Sequence, residues 1–136
     1  MVKVLIADKM SPRAEAIFRE RGIEVDLITG MRREELKACI EEYDGLAIRS
    51  STQLDSEIIS AATSLKVIGR AGIGVDNIDI SAASTKGIVV MNTPFGNSIT
   101  TAEHAIAMIF SLARDIPLAS ASTHSGKWEK ANFMGV

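Results

Sequence analysis

The sequence predicts an α/β fold in which five parallel strands form a doubly wound sheet. Short apolar runs rich in β-branched residues alternate with amphipathic helical stretches over residues 2–91. The joints between them are short, and parallel neighbours need crossover helices, so this alternation favours a parallel sheet. A chain of 136 residues is long enough for one such domain and a smaller segment after it.

The predicted strands differ in how deeply they are buried. The first is a continuous apolar run that suits a strand covered on both faces, whereas the second alternates apolar with acidic residues, Glu24 and Asp26, as an edge strand does. The predicted strands cover residues 2–7, 23–28, 46–48, 65–68 and 88–91.

The helices between the strands are marked at their ends. Ser11 and Pro12 suit the N-cap and first helical position, the third helix is expected to begin near Asp55, and Gly22 and Gly87 are predicted to end the first and fourth helices. Apolar residues recur at helical spacing inside each stretch. The predicted helices cover residues 12–21, 32–43, 55–65 and 79–86.

The pattern changes after residues 92–97, a proline- and glycine-containing joint that we interpret as a hinge between two lobes. Thr100 and Glu103 suggest a capping box, and an apolar stripe then predicts one helix of about 17 residues up to Pro117, ~25 Å long. No strand is predicted after it. Because the stripe and the later aromatic residues have nothing to pack against, we expect a partner subunit or a further domain.

Composition excludes several classes of function. The chain has 15 Lys and Arg against 17 Asp and Glu, so it has no bulk attraction for nucleic acid or anionic membranes. Its longest apolar run is six residues, against about 20 for a membrane helix. The single cysteine, Cys39, suits a reducing, cytoplasmic setting. His104 and His124 lack ligand neighbours at metal-binding spacing, so no metal site and no catalytic residue is predicted.

The loop at residues 72–77 is the first candidate site, because Gly72 and Gly74 follow a predicted strand. It departs from a dinucleotide fingerprint, since Asn77 replaces the third glycine, the next helix is short and the next strand ends without a ribose-binding acid. A simple tight turn and a loop that cradles an anion both remain open. We favour the anion-binding loop, because parallel α/β sheets bind ligands at the carboxyl ends of their strands.

Two arginines support that interpretation. Arg49 follows the third predicted strand, with Ser50 beside it, and Arg70 lies just beyond the fourth predicted strand. Because the carboxyl ends of parallel strands share one edge of a sheet, the two guanidinium groups are expected to converge beside the glycine loop. Either arginine alone could equally be a solvated charge at a strand end.

Several segments together resemble the N-terminal third of the NAD-dependent D-2-hydroxyacid dehydrogenase family, and within it the members that act on 3-phosphoglycerate. The segments that carry the resemblance are residues 49–52, 69–79, 91–98, 110–117, 126–130 and 133–135. The resemblance implies a flavodoxin-like substrate-binding domain over residues 1–97. It also implies a linker helix and dimerisation arm over residues 98–136, which lead in the family to an NAD-binding Rossmann domain.

The resemblance also implies roles for individual residues. Arg49 and Arg70 would help hold the phosphate side of the substrate, and the backbone of Gly72, Ile73 and Gly74 would meet its carboxylate. Ser50 would also belong to the substrate site. Ile73 and Gly74 would also approach the nicotinamide of NAD. Asn97 would face the cleft, and Lys130 would reach the active site of a neighbouring subunit in a homodimer or tetramer.

Two positions depart from the family pattern, and one part of its machinery is not matched. Ile73 stands where relatives often carry Thr, so only backbone contact to NAD remains, and Phe95 stands where Asn is common. The family's catalytic Arg, Glu and His lie beyond the matched segments, so we expect this chain alone to be inactive. The alternatives are the substrate domain of a related glyoxylate or hydroxypyruvate reductase, or a standalone flavodoxin-like binding module.

Overall fold

Five strands form one sheet in which every neighbouring pair is parallel. A computed structural model describes residues 1–135. The strands are β1 (Lys3–Ile6), β2 (Glu24–Leu27), β3 (Gly45–Ile48), β4 (Val67–Arg70) and β5 (Val89–Met91). Their spatial order is β2-β1-β3-β4-β5, the flavodoxin-like order. The predicted doubly wound sheet is confirmed, with the acidic strand β2 at an edge.

Within residues 1–135, six α-helices connect and follow the strands. They are α1 (Pro12–Glu20), α2 (Arg33–Cys39), α3 (Ser56–Ala61), α4 (Ile80–Thr85), α5 (Ser98–Ala113) and α6 (Ile116–His124). Single 3₁₀ turns lie at Ile40–Glu42 and Lys130–Asn132. The predicted N-cap Ser11 is confirmed, because its side chain accepts a backbone N–H of the first turn. The side chains of Asp55 and Asp79, where the third and fourth predicted helices begin, cap α3 and α4 in the same way.

In the first part of the chain, three elements have boundaries that differ from prediction by more than one residue. The helix predicted over residues 32–43 ends at Cys39 and continues only as a 3₁₀ turn. Helix α3 ends at Ala61 rather than near Leu65. Leu65 is nevertheless buried, so its apolar character reflects burial and not helical periodicity. Strand β4 extends through Arg70, which is therefore the last residue of the strand and not a residue beyond it.

The long helix predicted up to residue 116 is wrong in its limits. Helix α5 begins at Ser98, so Thr100 lies inside the helix and forms no capping box. It ends at Ala113, and Asp115 adopts a left-handed backbone with φ of 50°. Pro117 then lies in the first turn of α6, where a missing N–H costs no helical bond, so it starts a second helix instead of ending the first.

The hydrophobic core lies within the first of two compact units, Met1–Gly96 and Asn97–Val136. Successive residues of β1 point to opposite faces of the sheet, and both faces are buried. Leu5 and Ala7 join the cluster formed with helices α2, α3 and α4. The side chains buried most completely are Leu5, Ile6, Ile40, Ile48, Ile58, Ile59 and Ile68.

The second unit consists of α5, α6 and the segment after them. None of its described residues is buried, although α5 is rich in large apolar side chains. Over residues 1–135 no single helix is both long and apolar enough to cross a membrane. Only α5 and α6 taken together, with a bend of 66° between them, reach that length and composition.

Candidate anion-binding site

The site is built on the carboxyl ends of the two strands β3 and β4. These strands pair in parallel with Ile48 opposite Arg70, and Arg49 follows Ile48 directly. The two arginines therefore start from the same edge of the sheet. Ala71 donates its N–H to the backbone oxygen of Ile48 at 2.8 Å, which continues the pairing one residue beyond β4.

Arg49 and its neighbour Ser50 are exposed at this edge. The N–H of Arg49 donates to Oδ2 of Asp8 at 2.7 Å, and its Nη1 donates to the backbone oxygen of Lys9 at 3.3 Å. These two bonds tie the backbone and one end of the side chain to the segment after β1. No hydrogen bond between described residues uses the remaining guanidinium N–H groups of Arg49, so they are available for an anion.

Arg70 is half-buried and folds back over the glycine loop. Its Nε donates to Oδ1 of Asn77 at 2.9 Å. A Cβ placed on Gly72 would overlap Nη1 of Arg70 and lie 3.1 Å from its Cζ. Gly72 therefore leaves the space that the guanidinium occupies, so this glycine is needed for close approach of a side chain.

The backbone of the glycine loop offers two free donors. The N–H of Gly72 donates to the backbone oxygen of Arg70 at 2.9 Å, and its own oxygen accepts from Thr93 at 2.9 Å. By contrast, no hydrogen bond between described residues uses the N–H of Ile73 or Gly74, and both residues are exposed. Of the three residues predicted to meet a carboxylate, Ile73 and Gly74 keep the N–H groups needed, whereas Gly72 contributes space.

Asn97 and Lys130 belong to the second unit. Asn97 is the N-cap of α5, and its side chain makes no capping hydrogen bond there. Lys130 is exposed and begins the second 3₁₀ turn. It lines a groove of about 220 Å³ with Ala119, Ser122, Thr123, Trp128, Glu129 and Phe133. The roles of Asn97 and Lys130 toward a ligand stay predictions.

Three polar residues that support the site were missed at the level of sequence. Asp8 and Asn77 are each 4% exposed, and both bond to the segment Arg49–Thr52. The signal for Asp8 is its position directly after the first predicted strand, because an acid there lies at the carboxyl edge of the sheet. In the sequence Asn77 only stands where a dinucleotide fingerprint has its third glycine, and no pattern indicates a role for Thr52.

Cys39, the single cysteine, is a packing residue. Its Sγ lies 4.0 Å from Sδ of Met31 and 3.6 Å from the backbone oxygen of Leu36. Burial raises the pKa of the Cys39 thiol above its usual value, and Glu42 adds to that rise. A raised pKa makes the reactive thiolate rarer, as expected of a cysteine without a chemical role.

Comparison with known proteins agrees with this arrangement. Residues 4–130 match the model of the D-isomer specific 2-hydroxyacid dehydrogenase catalytic domain. The chain belongs to this family. It is 53% identical over 135 residues to D-3-phosphoglycerate dehydrogenase of Archaeoglobus fulgidus, covering 99% of this chain and 26% of that protein. The chain thus spans about a quarter of the length of that relative.

Solved structures of family members share the fold. An NAD⁺-bound 3-phosphoglycerate dehydrogenase of Entamoeba histolytica is 36% identical with a TM-score of 0.72, over 83% of this chain and 39% of that chain. A glyoxylate reductase of Paecilomyes thermophila is 25% identical with a TM-score of 0.87, over 99% of this chain and 45% of that chain. The family resemblance stated from the sequence is confirmed.

Proposed function

We propose that this chain forms the substrate-binding part of an NAD-dependent D-3-phosphoglycerate dehydrogenase. Such an enzyme oxidises 3-phospho-D-glycerate to 3-phosphooxypyruvate, the first step of phosphorylated L-serine biosynthesis. The observation that carries the proposal is the placement of Arg49, Arg70 and two free backbone N–H groups at one edge of the sheet. The 53% identity to a relative of that name supports the choice of substrate.

The chemistry of 3-phosphoglycerate fits the donors at this edge. The molecule has a phosphate at one end and a carboxylate at the other. Guanidinium groups bind phosphate through charge-assisted hydrogen bonds, the role proposed for Arg49 and Arg70 with Ser50 beside them. Paired backbone N–H groups suit a carboxylate, the role proposed for Ile73 and Gly74. The reactive carbon would then lie between the two ends, near the glycine loop.

The residues present fit a limited contact with NAD and not a complete cofactor site. Ile73 and Gly74 expose their backbone at the edge where a ligand is expected, but the loop lacks the third glycine of a dinucleotide fingerprint. When bound, NAD would accept the hydride that leaves the hydroxyl-bearing carbon of the substrate. In this proposal the family's Rossmann domain holds most of the cofactor, and this chain alone does not turn over substrate.

A second candidate is the substrate domain of a glyoxylate or hydroxypyruvate reductase. The observation that favours it is the TM-score of 0.87 to the glyoxylate reductase, higher than the 0.72 to the 3-phosphoglycerate dehydrogenase. The identities, 25% and 36%, favour the first candidate instead. The two candidates differ in one chemical respect, since only the first needs a phosphate site.

Calorimetric titration with 3-phosphoglycerate and with D-glycerate separates the two candidates. We expect binding of the phosphorylated acid to exceed that of D-glycerate by about tenfold or more, because a charge-assisted hydrogen bond to phosphate contributes ~1.5–3 kcal/mol. Arg70→Ala should remove this difference, whereas Arg13→Ala on the exposed face of α1 should keep it. Equal affinity for both acids in the unmodified chain would contradict the phosphate site and favour the reductase.

We also propose that the apolar side of α5 is covered by a second copy of the chain. Ile106, Ile109, Phe110 and Leu112 are each more than half exposed, and a patch of this kind on a soluble protein marks an interaction surface. Sedimentation velocity should give a dimer or tetramer, and Phe110→Asp should give monomers. Leu27→Asp at the edge strand β2 is the matched control and should leave the assembly intact. A monomer at all concentrations would favour a standalone module.

We also propose that the protein works in the cytoplasm. A cytoplasmic enzyme works in a reducing compartment, and the one cysteine, Cys39, is used for packing.

A further inference from the structure

We infer that Asn77 is a positioning residue that fixes the Arg70 guanidinium and the segment Arg49–Thr52 relative to each other. This inference rests on the proposed function, in which Arg49 and Arg70 bind one anionic substrate. Asn77 itself is buried, so its role is to act through the two arginines and not to touch the ligand.

A single side-chain amide joins the ends of both strands. Oδ1 of Asn77 accepts from Nε of Arg70 at 2.9 Å. Its Nδ2 donates to the backbone oxygens of Arg49 at 2.8 Å and Thr52 at 2.7 Å. Both donor hydrogens and the acceptor are used, which is a geometry that leaves little freedom for rotation.

Asp8 completes the hold on the same segment from the other side. Its carboxylate accepts the N–H of Arg49 and, at 3.2 Å, the N–H of Thr52, together with the Thr52 hydroxyl at 3.0 Å. Asp8 therefore accepts the backbone N–H groups of Arg49 and Thr52, and Asn77 donates to the backbone oxygens of the same two residues. Apart from the Tyr43 hydroxyl, these two are the only buried polar side chains among residues 1–135, and both hydrogen-bond to this segment.

Arg70 is fixed in a way that leaves its binding groups free. Its Nε is used by Asn77, while no hydrogen bond between described residues uses Nη1 or Nη2. Because Gly72 has no Cβ, the Arg70 guanidinium can lie against the loop. A side chain that is already ordered loses less conformational entropy when it binds, so preset arginines raise the affinity for an anion.

The position of Arg70 can be followed directly by NMR of its Nε–Hε group in the 136-residue chain. Asn77→Ala removes the acceptor, so the signal should move toward that of a solvent-exposed arginine and exchange faster with water. Asn77→Asp keeps an acceptor oxygen but has no N–H to donate, so it should retain the Arg70 signal while the backbone N–H groups of Arg49 and Thr52 exchange faster. An Arg70 signal that is unchanged in Asn77→Ala overturns the inference.

A second variant tests the same point without touching a buried residue. In Gly72→Ala the added methyl group displaces the flexible end of Arg70 and meets no backbone, so the fold should persist. Gly69→Ala is the matched control, because a Cβ there meets nothing within 4 Å. We expect Gly72→Ala to shift the Arg70 signal and weaken 3-phosphoglycerate binding about tenfold at unchanged Tm. Gly69→Ala should change neither.

The two measurements separate failure of this inference from failure of the proposed function. If the unmodified chain does not bind 3-phosphoglycerate but Asn77→Ala and Gly72→Ala both shift the Arg70 signal, the proposed substrate is wrong and the positioning role stands. If the chain binds 3-phosphoglycerate and Gly72→Ala alters neither the signal nor the affinity, the positioning role is wrong. Should Asn77→Ala fail to fold, Asn77→Asp decides, because unchanged hydrogen exchange at Arg49 and Thr52 in that variant overturns the inference.

Discussion

The two units of the chain use similar apolar side chains in opposite ways. Every buried apolar residue lies between Val4 and Ile88, in the first unit, where strands and helices share one core. In the second unit none of the described residues is buried, although isoleucine, leucine and phenylalanine line α5. The apolar character of a segment therefore does not by itself predict whether its side chains are buried in this chain. The first unit buries its apolar side chains in a core that stabilises it, whereas the second unit exposes them on its surface.

Polar side chains show the same contrast. In the first unit, side-chain hydrogen bonds join distant parts of the chain, as between Asp8 and Thr52, 44 residues apart. In the described part of the second unit, side-chain bonds join residues at most seven apart, as between Ser122 and Glu129. Bonds between distant residues make unfolding cooperative, whereas local bonds let a helix fray alone. We therefore expect the two units to differ in stability.

A matched pair of isoleucine substitutions gives the largest expected difference. Ile68 in β4 is fully buried, so Ile68→Ala should lower the free energy of unfolding by about 2–5 kcal/mol through lost burial and a cavity. Ile99 in α5 is 76% exposed, so Ile99→Ala should change it by less than about 0.5 kcal/mol. Urea unfolding followed by far-UV circular dichroism measures both. Equal losses in the two variants would mean that α5 is part of the cooperative core.

Helix caps give a smaller difference of the same kind. The carboxylate of Asp79 accepts the N–H of Ala82 at 2.9 Å, so Asp79→Ala should cost about 1 kcal/mol. Asn97 caps α5 by position, but its side chain makes no such bond, so Asn97→Ala should cost only a few tenths of a kcal/mol. Hydrogen exchange resolved along the chain tests each variant in its own helix. A larger loss for Asn97→Ala would contradict the capping geometry.

The contrast between the units also explains what the sequence could predict. Strands and caps of the first unit follow from short-range signals, such as the Ser11–Pro12 pair and the β-branched run of β1, and these predictions hold. The predicted start of α5 is wrong because Thr100 and Glu103 match a capping box by spacing alone. The helix begins at Ser98, two residues before Thr100. Nothing in the spacing distinguishes a true cap from a chance match.

The candidate site was predictable only in part, for a physical reason. That Arg49 and Arg70 share an edge follows from parallel pairing, which short-range patterns predict. That Asn77 bonds to Arg49 and Thr52 depends on contacts across 25 to 28 residues, which no local pattern encodes. The sequence predicts which exposed residues share this edge of the sheet, but not the buried residues that hold them in place.

Acid sensitivity gives the smallest expected effect, and it too should arise from the first unit. Hydrogen bonds from Lys3 and Tyr43 hold the pKa of Asp26 below its usual value, and Lys66 does the same for Asp44. The folded state thus binds these protons less tightly than the unfolded chain. The resulting stabilisation is complete above about pH 4, the usual Asp pKa, and is lost as pH falls through the lowered values. Both side chains are partly exposed, so solvent screens the effect.

Tyr43→Phe tests this assignment with almost no change in shape. Removing the hydroxyl, which donates to Asp26 at 2.8 Å, should bring the pKa of Asp26 back toward its ordinary value. NMR titration of the Asp26 carboxyl carbon measures that shift, and the acid-unfolding midpoint should move to slightly higher pH. Glu103→Gln on α5 is the control, because Glu103 forms no ion pair among residues 1–135. If Glu103→Gln moves the midpoint more than Tyr43→Phe does, the second unit and not the first sets the response to acid.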